Sequence, residues 1–106
     1  DQAHRFFEMT HSPFMLYYTK VKYSGLPAIT HRDGTCRHNT VTPEMNPVYY
    51  ELLDEFEKLT GVPVLLNTSA NLQGGPICGT RDQAIKLFNE AKGIDRMVIG
   101  TKTWTR

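Results

Sequence analysis

The chain has 106 residues, 40% hydrophobic and 22% charged, with a formal net charge of +1. That suits one soluble domain with one modest core, residues 1–106, and gives no global argument for a membrane surface or strong nucleic-acid binding, so any basic site must be local. No apolar run reaches membrane-spanning length and no signal-peptide pattern opens the chain, while Cys36 and Cys78 stand far apart outside any CxxC pair; these features exclude zinc-ribbon and thioredoxin-type motifs and point to a reduced, cytoplasmic protein.

In chain order, residues 1–9 suit a short helix, with His4, Phe7 and Glu8 near adjacent-turn spacing, before Ser12 and Pro13 break it. Residues 14–23 are rich in aromatic and β-branched side chains and read as a strand, with Lys20 and Lys22 alternating outward. A second short strand is expected over residues 26–30 and a third over 36–41, paired as a hairpin through the Asp33-Gly34 turn. That turn gathers His31, Asp33 and Arg37 within seven residues.

From Asn46 the signals become helical. Asn46 can cap, Pro47 fits the first helical position, and Val48, Leu52, Phe56 and Leu59 recur on one face until Gly61. Glu51, Asp54, Glu55, Glu57 and Lys58 make a solvated opposite face. Residues 62–66 read as a strand buried on both faces and residues 76–78 as a short strand. Thr80-Arg81-Asp82-Gln83 is a capping-box sequence opening a helix whose inner face is Ala84, Ile85, Phe88 and Ala91, closed by Gly93. Residues 97–100 form a last buried strand. The element order argues for a mixed α/β or α+β fold, a twisted sheet with packed helices.

The stretch from Pro63 to Ile77 carries the strongest functional signal. An apolar run ends in Asn67, Thr68, Ser69 and Asn71, which supply amide and hydroxyl donors and acceptors, and Gly74-Gly75 lets the backbone turn or approach a ligand closely. Ligands favour the carboxyl ends of strands in open α/β sheets; an ordinary polar turn has the same composition for conformational reasons. His4, His11, His31 and His38 lack metal-ligand spacing, Ser69 has no GxSxG elbow, and no GxxxxGK[ST] loop occurs. What remains is a polar pocket for an anion or nucleotide: Arg37 offers a planar donor fork, Asn67, Ser69 and Asn71 neutral donors, and His31 one more. Asp33 is read as the Asp of its turn.

Ser12-Pro13-Phe14-Met15-Leu16, then residues 26–37 (LPAITHRDGTCR), residues 61–71 (GVPVLLNTSAN) and Gly74 to Ile77 together resemble, in this order, the carboxyl-terminal domain of the O-carbamoyltransferases that modify nodulation factors and antibiotics. The resemblance runs from near Phe7 to about Gly100. It implies a YrdC-like domain that forms a carbamoyl-adenylate from carbamoyl phosphate and ATP, with Mg²⁺ brought by the nucleotide and no protein-ligated metal. A separate amino-terminal transferase domain would pass the carbamoyl group to a hydroxyl acceptor. Ser69-Ala70-Asn71 is also similar to the Ser-Ala-Asn motif of YrdC-like threonylcarbamoyl-adenylate synthases. By motif position, Arg37, Asn67 and Ser69 would line the carbamoyl phosphate and nucleotide pocket, with Asn71, His31 and Thr68 beside them; no catalytic residue is assigned.

Ala70, Gly75 and Asn39 stand where the family commonly has Phe, Glu and Gln, which implies an altered rim. The family domain also begins before Asp1 with arginine- and lysine-containing motifs, so the chain is expected to be an incomplete synthetase domain and a poor catalyst alone. The alternative reading is a non-catalytic YrdC-like module that holds nucleotide or RNA, and a third is an orphan structural domain docking on a partner.

Overall fold

The computed structural model describes residues 2–106; Asp1, the expected start of the first helix, lies outside them. The chain divides into two units, one ending at Leu66 and one spanning Asn67–Arg106. The fold is α+β. The expected single sheet is instead two separate two-stranded antiparallel ladders, β1 (Thr19–Lys20) with β2 (Thr35–Cys36) and β3 (Arg96–Ile99) with β4 (Lys102–Thr105), together with helices α1 (Pro47–Thr60) and α2 (Arg81–Glu90). No helix among the described residues is long and apolar enough to cross a membrane.

In the first unit the expected amino-terminal helix is a single 3-10 turn, Ala3–Arg5. The reason lies just after it. Phe6 and Phe7 are both buried, and Phe7 bridges antiparallel to Val21, which pulls the backbone into an extended path beside β1. Phe6, Phe7 and Cys36 form the core cluster, with Val21, Leu26, Ile29, Val62 and Val64 packed around it. Each buried phenylalanine contributes about 2–3 kcal/mol by removal of apolar surface from water.

The strand expected over residues 14–23 shrinks to Thr19–Lys20. Met15 adopts a left-handed φ of 53°, which interrupts extended backbone, and Phe14, Leu16, Tyr17 and Tyr18 remain exposed. The expected hairpin partner over 26–30 is a 3-10 turn, Pro27–Ile29. Pro27 presets its φ, and the Thr30 hydroxyl donates to the Leu26 carbonyl at 2.7 Å to close the turn locally. β2 therefore pairs with β1 instead, Thr19 opposite Cys36 and Lys20 opposite Thr35. The third strand stops at Cys36 because the chain beyond it bonds to another segment: the Thr40 amide donates to the Ser12 carbonyl at 2.8 Å.

Helix α1 begins and ends as its caps dictate. The Asn46 side chain accepts from the Tyr49 amide at 3.0 Å, Pro47 opens the helix, and Gly61 closes it in the left-handed region at φ 78°. Of the expected inward face, only Phe56 is half-buried. Tyr49, Leu53, Phe56 and Glu57 are half-buried while Val48, Leu52 and Leu59 are exposed. At the edge of the half-buried arc Arg5 donates to Glu57 at 2.7 Å, a half-exposed ion pair. Residues 62–66 carry no ladder; Val62 and Val64 pack on the core cluster by side chain alone, and Leu66 is exposed.

In the second unit, α2 is preceded by a complete capping box. The Thr80 hydroxyl accepts from the Gln83 amide at 3.3 Å, and the Gln83 side chain accepts from the Thr80 amide at 3.1 Å. Ala84, Ile85, Phe88 and Ala91 face inward as the spacing predicts, with Phe88 buried. The helix ends at Glu90, before Gly93, where Ala91 turns extended, and Arg106 satisfies carbonyls at that end: the guanidinium donates to Phe88 and to Ala91 (2.9 Å), and its Nε to Ile94 (2.8 Å). The expected strand over 97–100 is one arm of a hairpin. Gly100, at φ 59°, turns the chain into β4, and Met97 pairs with Trp104 on the half-buried face while Val98 stays exposed. No strand forms over residues 76–78; there the Cys78 amide reaches back to the Ala70 carbonyl at 2.9 Å.

Candidate functional site

In the first unit the candidate residues surround the turn from His31 to Arg37. Gly34 takes φ 80°, a conformation that a side chain resists, and its amide donates to the His31 carbonyl at 2.9 Å while the His31 amide donates to the Thr35 carbonyl at 2.7 Å. Asp33 is consumed by this turn: its Oδ1 accepts from the Thr35 hydroxyl at 2.7 Å and the Thr35 amide at 3.0 Å. Those bonds, the hydroxyl first, hold the Asp33 carboxyl below its ordinary range. Because the Thr35 proton goes to Asp33, the His31 Nδ1, 3.4 Å from that hydroxyl oxygen, is the donor there. The exposed ring lies 5.8 Å from the ring of Tyr18. Arg37 is exposed, and none of the ion pairs among the described residues engages it.

In the second unit, Asn67, Thr68 and Ser69 are exposed at the head of a loop that Asn71 organises. The Asn71 amide nitrogen donates to the carbonyls of Leu72 (2.9 Å) and Gly75 (3.2 Å), and its oxygen accepts from the Ser69 hydroxyl. Both Asn71 amide protons are thus committed within the loop, and the Ser69 hydroxyl keeps its lone pairs but not its proton. Gly74, at φ 76°, makes the turn that aims the Gly75 amide at the Leu72 carbonyl, 2.9 Å away. A side chain on Gly75 would also press to 3.3 Å from that same carbonyl. The free donors are therefore Asn67 and Thr68, neither of which makes a side-chain hydrogen bond within the loop. His31 and Arg37 belong to one unit and Asn67, Thr68, Ser69 and Asn71 to the other.

One buried polar group escaped the sequence reading. His38 is 8% exposed; its Nε2 lies 2.8 Å from the Met9 carbonyl, which can only accept, so Nε2 carries the proton and Nδ1 presents a lone pair. That Nδ1 has no hydrogen-bond partner among the described residues. The Phe7 ring covers the imidazole at 4.6 Å between centroids, and burial pushes its pKa down, opposed in part by the Met9 carbonyl. Ser12 joins the same cluster, its hydroxyl donating to the His38 carbonyl at 3.1 Å and its amide to the Thr40 hydroxyl at 2.9 Å. The signal that could have found it is the same-face spacing of Cys36, His38 and Thr40. Both cysteines are free thiols, and burial raises the pKa of Cys36.

A family model described as Carbamoyltransferase C-terminus matches residues 1–106. The chain belongs to this family of carbamoyltransferase carboxyl-terminal domains. It is 41% identical to 3'-hydroxymethylcephem-O-carbamoyltransferase of Amycolatopsis lactamdurans, with 98% of this chain and 20% of the relative covered. It is 39% identical to Nodulation protein NolNO of Sinorhizobium fredii, with 95% and 16% covered, and 38% identical to Nodulation protein NolO of Bradyrhizobium diazoefficiens, with 94% and 19% covered. The chain thus spans a fifth or less of the length of these relatives.

Proposed function

We propose that the chain serves a carbamoyltransferase as part of the region that binds carbamoyl phosphate and ATP and forms a carbamoyl-adenylate, for transfer to a hydroxyl acceptor by an amino-terminal domain. The observation that carries this reading is the family match over residues 1–106, with relatives named carbamoyltransferases. The local chemistry agrees with it. Arg37 is a solvent-facing guanidinium without an ion-pair partner among the described residues, suited to two parallel hydrogen bonds with a phosphoryl group, and the His31 ring stands on the same turn. Asn67 and Thr68 offer uncommitted donors, Ser69 an acceptor oxygen, and Asn71 holds the loop that presents them.

Phosphoryl and acyl-adenylate chemistry draws mainly on positioning and on charge stabilisation. In this reading Mg²⁺ arrives with the nucleotide, and the polar side chains fix the phosphates. The fold would be YrdC-like, and the isolated chain a weak catalyst that still binds ligand. Titration of the chain with ATP and with carbamoyl phosphate tests this directly. Arg37→Ala is expected to weaken binding by about tenfold or more, the size of one lost hydrogen bond to a charged group. Affinity unchanged in both Arg37→Ala and Ser69→Ala would overturn the assignment.

A further inference from the structure

A second cation stands on the ladder that ends one residue before Arg37, and none of the motifs in the sequence points to it. The segment carrying Phe7 lies against β1, which lies against β2: Phe7 bridges Val21, the Glu8 amide donates to the Lys20 carbonyl at 3.1 Å, and Lys20 pairs with Thr35. Three extended segments therefore run side by side with β1 in the middle. Side chains alternate between the two faces. Phe7, Thr19 and Cys36 go inward and are buried, whereas Glu8, Lys20 and Thr35 form a row on the open face.

That row floors a shallow open concavity of about 490 Å³ walled on one side by Tyr18. The Tyr18 ring leans on His31, and Arg37 lies beyond buried Cys36 on the exposed side. Lys20 is exposed and enters none of the ion pairs among the described residues, although Glu8 is its neighbour across the ladder. Lys22 is different, because its ammonium already donates to the His4 carbonyl at 2.7 Å. Lys20 thus presents a strongly hydrated, rotatable point charge beside a hydroxyl and an aromatic face. Glu8 flanks Lys20 on one side and Thr35 on the other, so an anion can approach only from the Thr35 side, while Met9 and the Tyr18 ring make much of the remaining lining apolar.

We propose that this concavity is a subsite for a phosphoryl-bearing ligand, with Lys20 on the phosphoryl oxygens and Tyr18 against the remainder of the molecule. The inference rests on the reading of the chain as a carbamoyl phosphate- and ATP-binding part of a carbamoyltransferase, and it adds a cation to that reading. Two sources share the chemistry, a nucleoside triphosphate and an acyl phosphate.

The test is titration of the ¹⁵N-labelled chain with ATP and, separately, with carbamoyl phosphate, followed at the Lys20 and Thr35 amides. At least one ligand is expected to move both signals, and Lys20→Met to weaken that ligand about tenfold while Lys20→Arg retains it. The ligand whose affinity falls identifies the source. Protection of the Val21 amide, which donates to the Gly34 carbonyl at 3.0 Å, reports that the ladder persists in each variant. If Arg37→Met weakens binding and Lys20→Met does not, the subsite is wrong while the proposed function stands. If neither substitution weakens either ligand the subsite is wrong, and the proposed function falls with it when Ser69→Ala also leaves both affinities unchanged.

Discussion

Replacing Asn71 by Ala is the sharpest probe of how the polar loop in the second unit is held. Asn71 donates at 2.9 Å to the Leu72 carbonyl and at 3.2 Å to the Gly75 carbonyl, and it accepts from Ser69. The substitution removes all three interactions without adding bulk. The bond to Gly75 is partly buried and the other two are exposed, so water replaces much of what is lost, and the net cost is about 1.5 kcal/mol rather than the sum of three full hydrogen bonds. Since 1.4 kcal/mol is a factor of ten, local opening becomes about tenfold more frequent. Amide hydrogen exchange reads this at the Gly75 amide, bonded to the Leu72 carbonyl, and at the Cys78 amide, bonded to the Ala70 carbonyl, each at 2.9 Å. The Ala91 amide, bonded to Leu87 at 2.8 Å at the end of α2, serves as control and should keep its rate. Unchanged exchange at Gly75 and Cys78 would refute the claim that Asn71 braces the loop.

Thr80→Ala should lower the denaturant midpoint by the equivalent of about 1 kcal/mol, because the capping box then leaves the Gln83 amide without its acceptor. Gly34→Ala should destabilise by about 1 kcal/mol purely through its φ of 80°, since nothing lies within 4 Å of the added methyl; a variant as stable as the parent would contradict that backbone geometry. His38 gives a pH dependence of definite sign. Burial lowers its folded pKa below the ordinary value of about 6.5, so the unfolded chain takes up the proton first as pH falls. The stability contributed by neutral His38 is full above that value and is lost as pH falls below it towards the folded pKa. Urea midpoints measured at neutral and at mildly acidic pH should show the decline, and His38→Gln should reduce it.

What the sequence made legible was whatever closes within a few residues. The Asn46 and Thr80 caps, the left-handed Gly61 and the Asp33-Gly34 turn each need only neighbours three or four positions away, so side-chain chemistry alone locates them. The inner face of α2 was legible for the same reason, one continuous stripe ending on Phe88. Strand partners were not legible, because β-pairing is settled by competition between distant segments. Residues 14–23 have strand-like composition, yet Met15 breaks the extended path and only Thr19–Lys20 finds β2. Residues 26–30 lost their strand to a local hydroxyl bond from Thr30. In α1 the pattern named the right helix and placed Phe56 correctly, but Val48, Leu52 and Leu59 of the same expected face are exposed while Tyr49 and Leu53 are half-buried, because Phe56 belongs to two apolar stripes at helical spacing. The inward arc carries one contact 52 residues apart in sequence, Arg5 with Glu57, which no local spacing announces.

The same distinction sorts the candidate site residues by what each can do. A side chain whose donors are already spent on the backbone shapes a site, and one whose donors are free can meet a ligand. Composition does not separate them, because Asn67 and Asn71 are the same residue four positions apart. Geometry does: Asn71 has given both amide protons to loop carbonyls, while Asn67 has committed none to the loop. Asp33 falls with Asn71 as an acceptor, its Oδ1 taken by the Thr35 amide and hydroxyl, and Lys22 is tethered by one ammonium proton to the His4 carbonyl, whereas Arg37 and Lys20 fall with Asn67. Loss of a shaping residue should therefore appear first as faster local exchange, with affinity falling as a consequence. Loss of a residue with free donors should lower affinity while exchange in the surrounding backbone stays as it was.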